Sequence, residues 1–231
     1  MIKAVIFDLD DTLTSEREFI KSGYRHVAGL ISNKMKLDSM FIYNMLMRLF
    51  AESPKNVFNR LYDQLGIPYT QEDIVELVEA YRNHDPDIHF YDDVIPCLED
   101  LKKRGIKTGI ITDGYRCTQR NKLRALNAYA YFDHIIVTDE LGRDYWKPNP
   151  RPFELIRAFI SNNGEIDIRY EEMIYVGDNP EKDFYISAIY PIRTVRIIRD
   201  GIYKNNEYLN SIKENMTIAN LNELIIILLH G

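Results

Sequence analysis

Five short runs rich in β-branched residues limit what this chain can become: residues 3–7, 107–111, 134–137, 173–176 and 194–198. Each is apolar almost throughout and ends on polar or small residues. A sheet with one wet face would alternate apolar and polar positions, whereas strands buried on both faces read as continuous apolar runs. The runs therefore predict a mainly parallel sheet covered on both sides. Helical patterns lie between the later runs. Leu98, Leu101 and Lys102 lead to Gly105 as a stop signal, and Leu123, Leu126 and Ala130 follow the second run. Phe153, Ile156, Ala158 and Ile160 form another amphipathic stretch, closed by Asn162-Asn163-Gly164. Strand alternating with helix predicts an α/β fold with a doubly wound sheet.

One interval breaks that rhythm. Between residues 14 and 90 there is no strand pattern but four helical ones. Phe19, Gly23, Val27, Leu30 and Ile31 repeat at helical spacing, as do Phe41, Met45, Leu49 and Phe50. Ser53-Pro54 reads as an N-cap with proline at the first helical position, leading into Val57, Leu61 and Leu65. Thr70 with Asp73 resembles a capping box before Ile74, Leu77, Val78 and Tyr81. Gly66-Ile67-Pro68 and His84-Asp85-Pro86 punctuate the ends. The expected organisation is a Rossmann-like core, residues 1–13 and 91–231, with a smaller all-helical domain, residues 14–90, inserted after the first strand. The stripe of Met40, Phe41, Met45, Met47 and Phe50 reads as the core of that insertion. Asn220 reads as the cap of a closing helix over 221–229.

Composition removes several function classes. With 231 residues, 45% of them apolar, and a formal net charge of −6, the chain is neither disordered nor basic enough for a nucleic-acid surface. No apolar run approaches the ~18 residues of a membrane span. Met1-Ile2-Lys3 enters the first run directly, without a secretory leader pattern. Cys97 and Cys117 cannot build a disulfide framework and fit a reducing cytoplasm. The five histidines, His26, His84, His89, His134 and His230, show no zinc-ligand spacing. The expectation is a cytoplasmic enzyme or ligand-binding protein with no nucleic-acid or membrane partner.

Ligands of open α/β sheets bind beyond the carboxyl ends of the strands. There the first run delivers Asp8-Leu9-Asp10-Asp11-Thr12 and the second Thr112-Asp113-Gly114. The fourth delivers Gly177-Asp178-Asn179-Pro180, with Asp183 five residues after Asp178. Lys147 stands in Trp146-Lys147-Pro148-Asn149-Pro150, after the third run. Asp-x-Asp-x-Thr is expected by chance roughly 0.06 times at this composition, and Gly-Asp-x-x-x-x-Asp roughly 0.07 times, so both at strand ends form a strong signal. Gathering Asp8, Asp10 and Asp178 is repulsive without a cation, which predicts a hard metal bound through oxygen, Mg²⁺ being the natural choice. A carboxylate can then attack phosphorus while a second protonates the leaving alkoxide and later activates water. Thr112 and the backbone around Gly114 can bind phosphate oxygens, and Lys147 supplies positive charge to them.

The pattern resembles the haloacid dehalogenase-like superfamily, in its branch with a helical cap inserted after the first strand. The resemblance spans nearly the whole chain: four ordered motifs, the insertion point and the Lys147-Pro148-x-Pro150 run. It implies that Asp8 is the nucleophile and Asp10 the general acid/base. It implies that Asp8, the Asp10 carbonyl and Asp178 hold Mg²⁺, that Thr112 and Lys147 bind the phosphoryl group, and that Asp183 assists through water or by holding Lys147. It also implies that the first strand lies beside the fourth. Dehalogenases of the superfamily lack an acid/base aspartate at the position of Asp10, and phosphonatase-like members carry a small residue there. Asp113, Gly114, Tyr115 and Arg116 stand at the expected pocket mouth as substrate contacts. The implied activity is hydrolysis of a small phosphorylated metabolite by a monomer or homodimer. A phosphomutase using the same carboxylates, and a non-catalytic binding protein retaining the fold, are the alternatives.

Overall fold

The computed structural model describes residues 1–162, 167–201 and 205–230. The chain forms two compact units, one made of residues 1–16 and 89–231, the other of 17–88. Its strands are β1 (Ala4–Phe7), β2 (Lys107–Thr112), β3 (His134–Val137), β4 (Met173–Gly177), β5 (Arg193–Ile197) and β6 (Met216–Ile218). Its helices are α1 (Glu16–Met35), α2 (Ser39–Glu52), α3 (Val57–Leu65), α4 (Gln71–Asn83), α5 (Val94–Lys103), α6 (Arg116–Ala125), α7 (Arg151–Ile160) and α8 (Leu221–His230).

All six strands run parallel in the order β3-β2-β1-β4-β5-β6. The five expected runs are five of these strands. β1, β2 and β4 are almost wholly buried and β3 in its second half, as their largely apolar character requires. From β1 the chain builds outward to β2 and β3, then returns to lay β4 on the other side of β1. That reversal makes the carboxyl ends of β1 and β4 the topological switch point. β6 has only three residues at the sheet edge, too few to leave a periodic pattern in sequence. Asn220 does cap α8, its Oδ1 accepting from the amides of Asn222 and Glu223. The expected stop after α7 falls partly outside the described residues, at Asn163 and Gly164, and α7 ends at Ile160. No described helix is long and apolar enough to cross a membrane.

The second unit is helical. Thr70 and Asp73 form the reciprocal capping box read from sequence, each side chain bonded to the other's amide. Two local readings change. The Ser53 amide donates to the Leu49 carbonyl and so closes α2, which leaves Pro54 in the connecting turn; α3 starts only after Asn56, at φ 53°. The buried face of α2 is Ile42, Leu46 and Leu49; Met45, Met47 and Phe50 pack partly against that core, whereas Met40 and Phe41 face solvent. Burying Ile42, Leu46 and Leu49 at i, i+4, i+7 turns the first two residues of the expected stripe outward. Thr14 and Phe90 pair in an antiparallel bridge inside the sheet-bearing unit, so that unit holds a few residues more on each flank than 13 and 91.

Candidate active site

The end of β1 delivers Asp8, whose amide still donates to the Val176 carbonyl of β4 at 2.8 Å, so the residue is fixed at the switch point. Lys147 reaches the same place from the loop after β3. Its side chain is fully buried, and its Nζ donates to Asp8 Oδ1 at 2.5 Å, to Asp183 Oδ1 at 2.8 Å and to the Tyr175 hydroxyl at 2.8 Å. Tyr175 in turn donates to Asp183 Oδ1 at 3.1 Å, while Asp183 Oδ2 accepts the Asn179 amide at 2.9 Å. Both Asp183 oxygens are thus engaged by the protein. This close packing demands glycine at the end of β4: a Cβ on Gly177 would lie 2.5 Å from Asp183 Oδ2 and 2.7 Å from its Cγ. With Asp183 locked from three sides, the methyl group of Gly177→Ala has to displace the carboxylate. The expected outcome is a loss of about 1–3 kcal/mol in stability by urea denaturation, with a matching fall in turnover.

Asp8, Asp178 and Asp183 place carboxylate oxygens within 4.8 Å of one another, all three residues buried. Burial pushes the Asp8 carboxyl up to about 6, against the pull of Lys147. Burial, with repulsion from Asp183 and Asp8, pushes Asp178 up to about 9. Burial also opposes the charge of Lys147, but Asp183 and Asp8 outweigh it and hold the ammonium well above the ordinary lysine range. One lysine among three carboxyl groups leaves an excess of negative charge whenever all three are ionised, as they would be around a cation. Asp178 accepts no hydrogen bond among the described residues, so its oxygens are available to a cation. An all-oxygen donor set with surplus negative charge fits a hard divalent ion.

Asp10 and Thr112 belong to a second constellation. Gln119 Nε2 donates to Asp10 Oδ2 at 2.9 Å and to Thr112 Oγ1 at 2.5 Å. Lys122 Nζ donates to Asp10 Oδ1 at 2.7 Å and bridges to Glu16. Burial acts against ionised Asp10, but Lys122 and Gln119 outweigh it and hold the carboxyl below its usual range. The carboxylate of Asp10 is therefore turned to α6 and is not one of the three clustered aspartates.

The remaining candidates divide by exposure. Asp113 Oδ1 accepts from Thr138 Oγ1 at 2.8 Å and from the Lys147 amide at 3.1 Å, and Asp113 Oδ2 accepts from Lys182 Nζ at 2.9 Å. Its carboxylate thereby anchors the loop that presents Lys147. Gly114, at φ 133°, turns the chain from β2 into α6. Tyr115 is exposed, with the Arg143 guanidinium 5.4 Å from its ring centroid. Arg116 uses its amide to bond Asp139 and its guanidinium to pair with Glu140.

Gln119, Lys122, Tyr175 and Lys182 were not among the sequence candidates. For the first two a signal existed: Gln119, Lys122, Leu123 and Leu126 fall at i, i+3, i+4 and i+7, so two polar residues occupy the inward stripe of α6.

A family model for haloacid dehalogenase-like hydrolases matches residues 5–196. The chain is a haloacid dehalogenase-like hydrolase. The hydrolase is 31% identical to the glyceraldehyde 3-phosphate phosphatase of Methanocaldococcus jannaschii, over 97% of its own length and 96% of the relative's. It is 25% identical to the pyrophosphatase PpaX of Bacillus anthracis, over 98% and 96%. Among solved structures it is similar to a HAD phosphatase from Thermococcus onnurineus, with a TM-score of 0.60, 25% identity and 98% of each chain covered. These matches run end to end and put the hydrolase with the phosphatases of its family.

Proposed function

We propose that the hydrolase is a Mg²⁺-dependent phosphatase that cleaves a small phosphate monoester through an aspartyl-phosphate on Asp8. The observation that carries this reading is the ammonium of Lys147 bonded at once to Asp8 and Asp183, beside Asp178, which accepts no hydrogen bond among the described residues. Lys147 orients the Asp8 carboxylate and offers positive charge to the incoming phosphoryl oxygens. Asp8 attacks phosphorus; the ester P–O bond breaks, and Asp10, which must be protonated for this step although Lys122 and Gln119 favour its ionised form, gives that proton to the departing alkoxide. Water then attacks the aspartyl-phosphate, its proton passes to Asp10, the Asp8–phosphorus bond breaks and inorganic phosphate leaves. Thr112 and the amides after it would hold the phosphoryl oxygens. Asp8, Asp178 and the Asp10 carbonyl would hold Mg²⁺, with Asp183 behind Lys147; the ion would neutralise charge on the phosphate.

The substrate to test first is glyceraldehyde 3-phosphate, because archaeal relatives at about a third identity carry that activity in their names. The deciding assay follows inorganic phosphate from glyceraldehyde 3-phosphate, other triose and sugar phosphates, and pyrophosphate, with and without Mg²⁺. Release from a monoester is the expected result. Isomerisation of a sugar phosphate without release would replace phosphatase by mutase, and no release from any compound would remove the reading.

Metal dependence has a readout that needs no substrate. A ligand that binds only the folded state stabilises it by about 2.7 kcal/mol at a hundredfold excess over its dissociation constant. Mg²⁺ is expected to raise the thermal midpoint relative to EDTA. In Asp178→Asn that shift should disappear, while the midpoint in EDTA stays about level, because a carboxyl pushed up to about 9 is already uncharged at neutral pH without the ion. An equal Mg²⁺ shift in both proteins would take Asp178 out of the metal site.

A further inference from the structure

We propose that Gln119 and Lys122 of α6 are positioning residues that hold Asp10 for its proton transfers, so that α6 governs the acid/base half of the reaction. This rests on Asp10 being the acid/base and adds the means by which it is held. Each Asp10 oxygen has its own donor, Lys122 Nζ on Oδ1 at 2.7 Å and Gln119 Nε2 on Oδ2 at 2.9 Å. Two donors on the two oxygens fix the rotation of the carboxylate about its last torsion, which one donor cannot do. The Gln119 amide nitrogen has two hydrogens and places the second on Thr112 Oγ1 at 2.5 Å. One side chain thus sets the acid/base relative to the hydroxyl at the end of β2.

Lys122 is 2% exposed, an unusual position for a lysine on a surface helix. Its ammonium sits between Asp10 and Glu16. Glu16 gives Lys122 a partner other than Asp10, so Lys122 stays in place when the charge on Asp10 changes. A helix that only had to pack would use apolar residues at these two inward positions, as it does at Leu123 and Leu126. Lys147 and Asp183, which orient the nucleophile, share no hydrogen bond with this set among the described residues, so the nucleophile and the acid/base have separate supports.

Separate supports predict a split that a structural role would not produce. p-Nitrophenolate departs without a proton, so forming the aspartyl-phosphate from p-nitrophenyl phosphate does not need Asp10, whereas its hydrolysis does. The test is rapid-mixing kinetics with p-nitrophenyl phosphate and Mg²⁺ on Gln119→Leu and on the double variant Lys122→Met/Glu16→Gln, which leaves no orphan charge at Glu16. Acid/base groups contribute about 10²–10⁴-fold, so loss of their support should slow steady-state turnover by about tenfold or more. The burst of one nitrophenolate per enzyme should keep its rate within about threefold, since no proton moves in it. Asp10→Asn should give the same pattern, and adding Gln119→Leu to it should cost little more. Burst and steady state slowing together, or neither changing, would overturn the proposal. If the double variant does not fold, Gln119→Leu alone decides. Wild-type turnover in Asp10→Asn would instead remove the acid/base reading itself.

Discussion

Asp8→Asn should abolish turnover, by about 10⁴-fold or more, while leaving the protein folded. The carboxylate at the end of β1 is the group read as the attacking nucleophile, and asparagine keeps its size while losing its charge and nucleophilicity. Stability should move the other way. Burial pushes Asp8 up to about 6, so at neutral pH its ionised form is held against desolvation and against Asp183. A group whose folded pKa is raised above its unfolded value of 3.8 destabilises the fold once the pH exceeds both. The neutral amide removes that strain, and Lys147 retains Asp183 and Tyr175 as partners. The expected result is a metal-free thermal midpoint equal to or above that of the parent, paired with no measurable phosphate release. Substantial turnover in Asp8→Asn would take the nucleophile away from β1 and end the phosphatase mechanism drawn from it.

Much of the scaffold was legible because the central strands are buried on both faces, which leaves β1 to β5 as short runs dominated by apolar and β-branched residues. Asp8, Thr112, Gly177 and Asp178 were legible for a related reason: a carboxylate, a hydroxyl or a glycine stands out where such a run stops. The groups that orient those residues were harder to read. Tyr175 lies within β4 and looks like one more core aromatic until its hydroxyl is found on Asp183 and Lys147. Lys182 reads as a solvated charge beside Glu181, yet it pairs with Asp113. Gln119 and Lys122 left a periodicity signal, but a polar pair on an inward stripe names no partner; only the fold brings residue 10 to residue 122. The direction of the Asp10 side chain, toward α6, depends on that long-range contact and has no local trace. Ser53-Pro54 failed for the opposite reason: a strong local start signal was overruled when the Ser53 amide completed the preceding helix.

Lys147→Met carries the other large effect, and it should strike stability and activity together. Methionine fills similar space but leaves Asp8 and Asp183 facing each other without the ammonium that bonded both. Removing one partner of a fully buried ion pair destabilises by about 3–5 kcal/mol, chiefly through the charge left behind. The metal-free variant should therefore unfold at markedly lower urea concentration than the parent. Turnover should fall by about 10²–10³-fold, as loss of one preorganised positive group facing developing charge does elsewhere. The charge argument makes a finer distinction. With its resident cation gone, the aspartate cluster should lean harder on Mg²⁺, so the stabilisation by Mg²⁺ should be larger in Lys147→Met than in the parent. Adding Asp183→Asn should recover part of the lost stability by removing an orphaned charge, yet leave turnover low, because the positive charge owed to the phosphoryl group is still missing. Were Asp183→Asn to restore both, Lys147 would matter only for balancing Asp183 and would have no part at the phosphate.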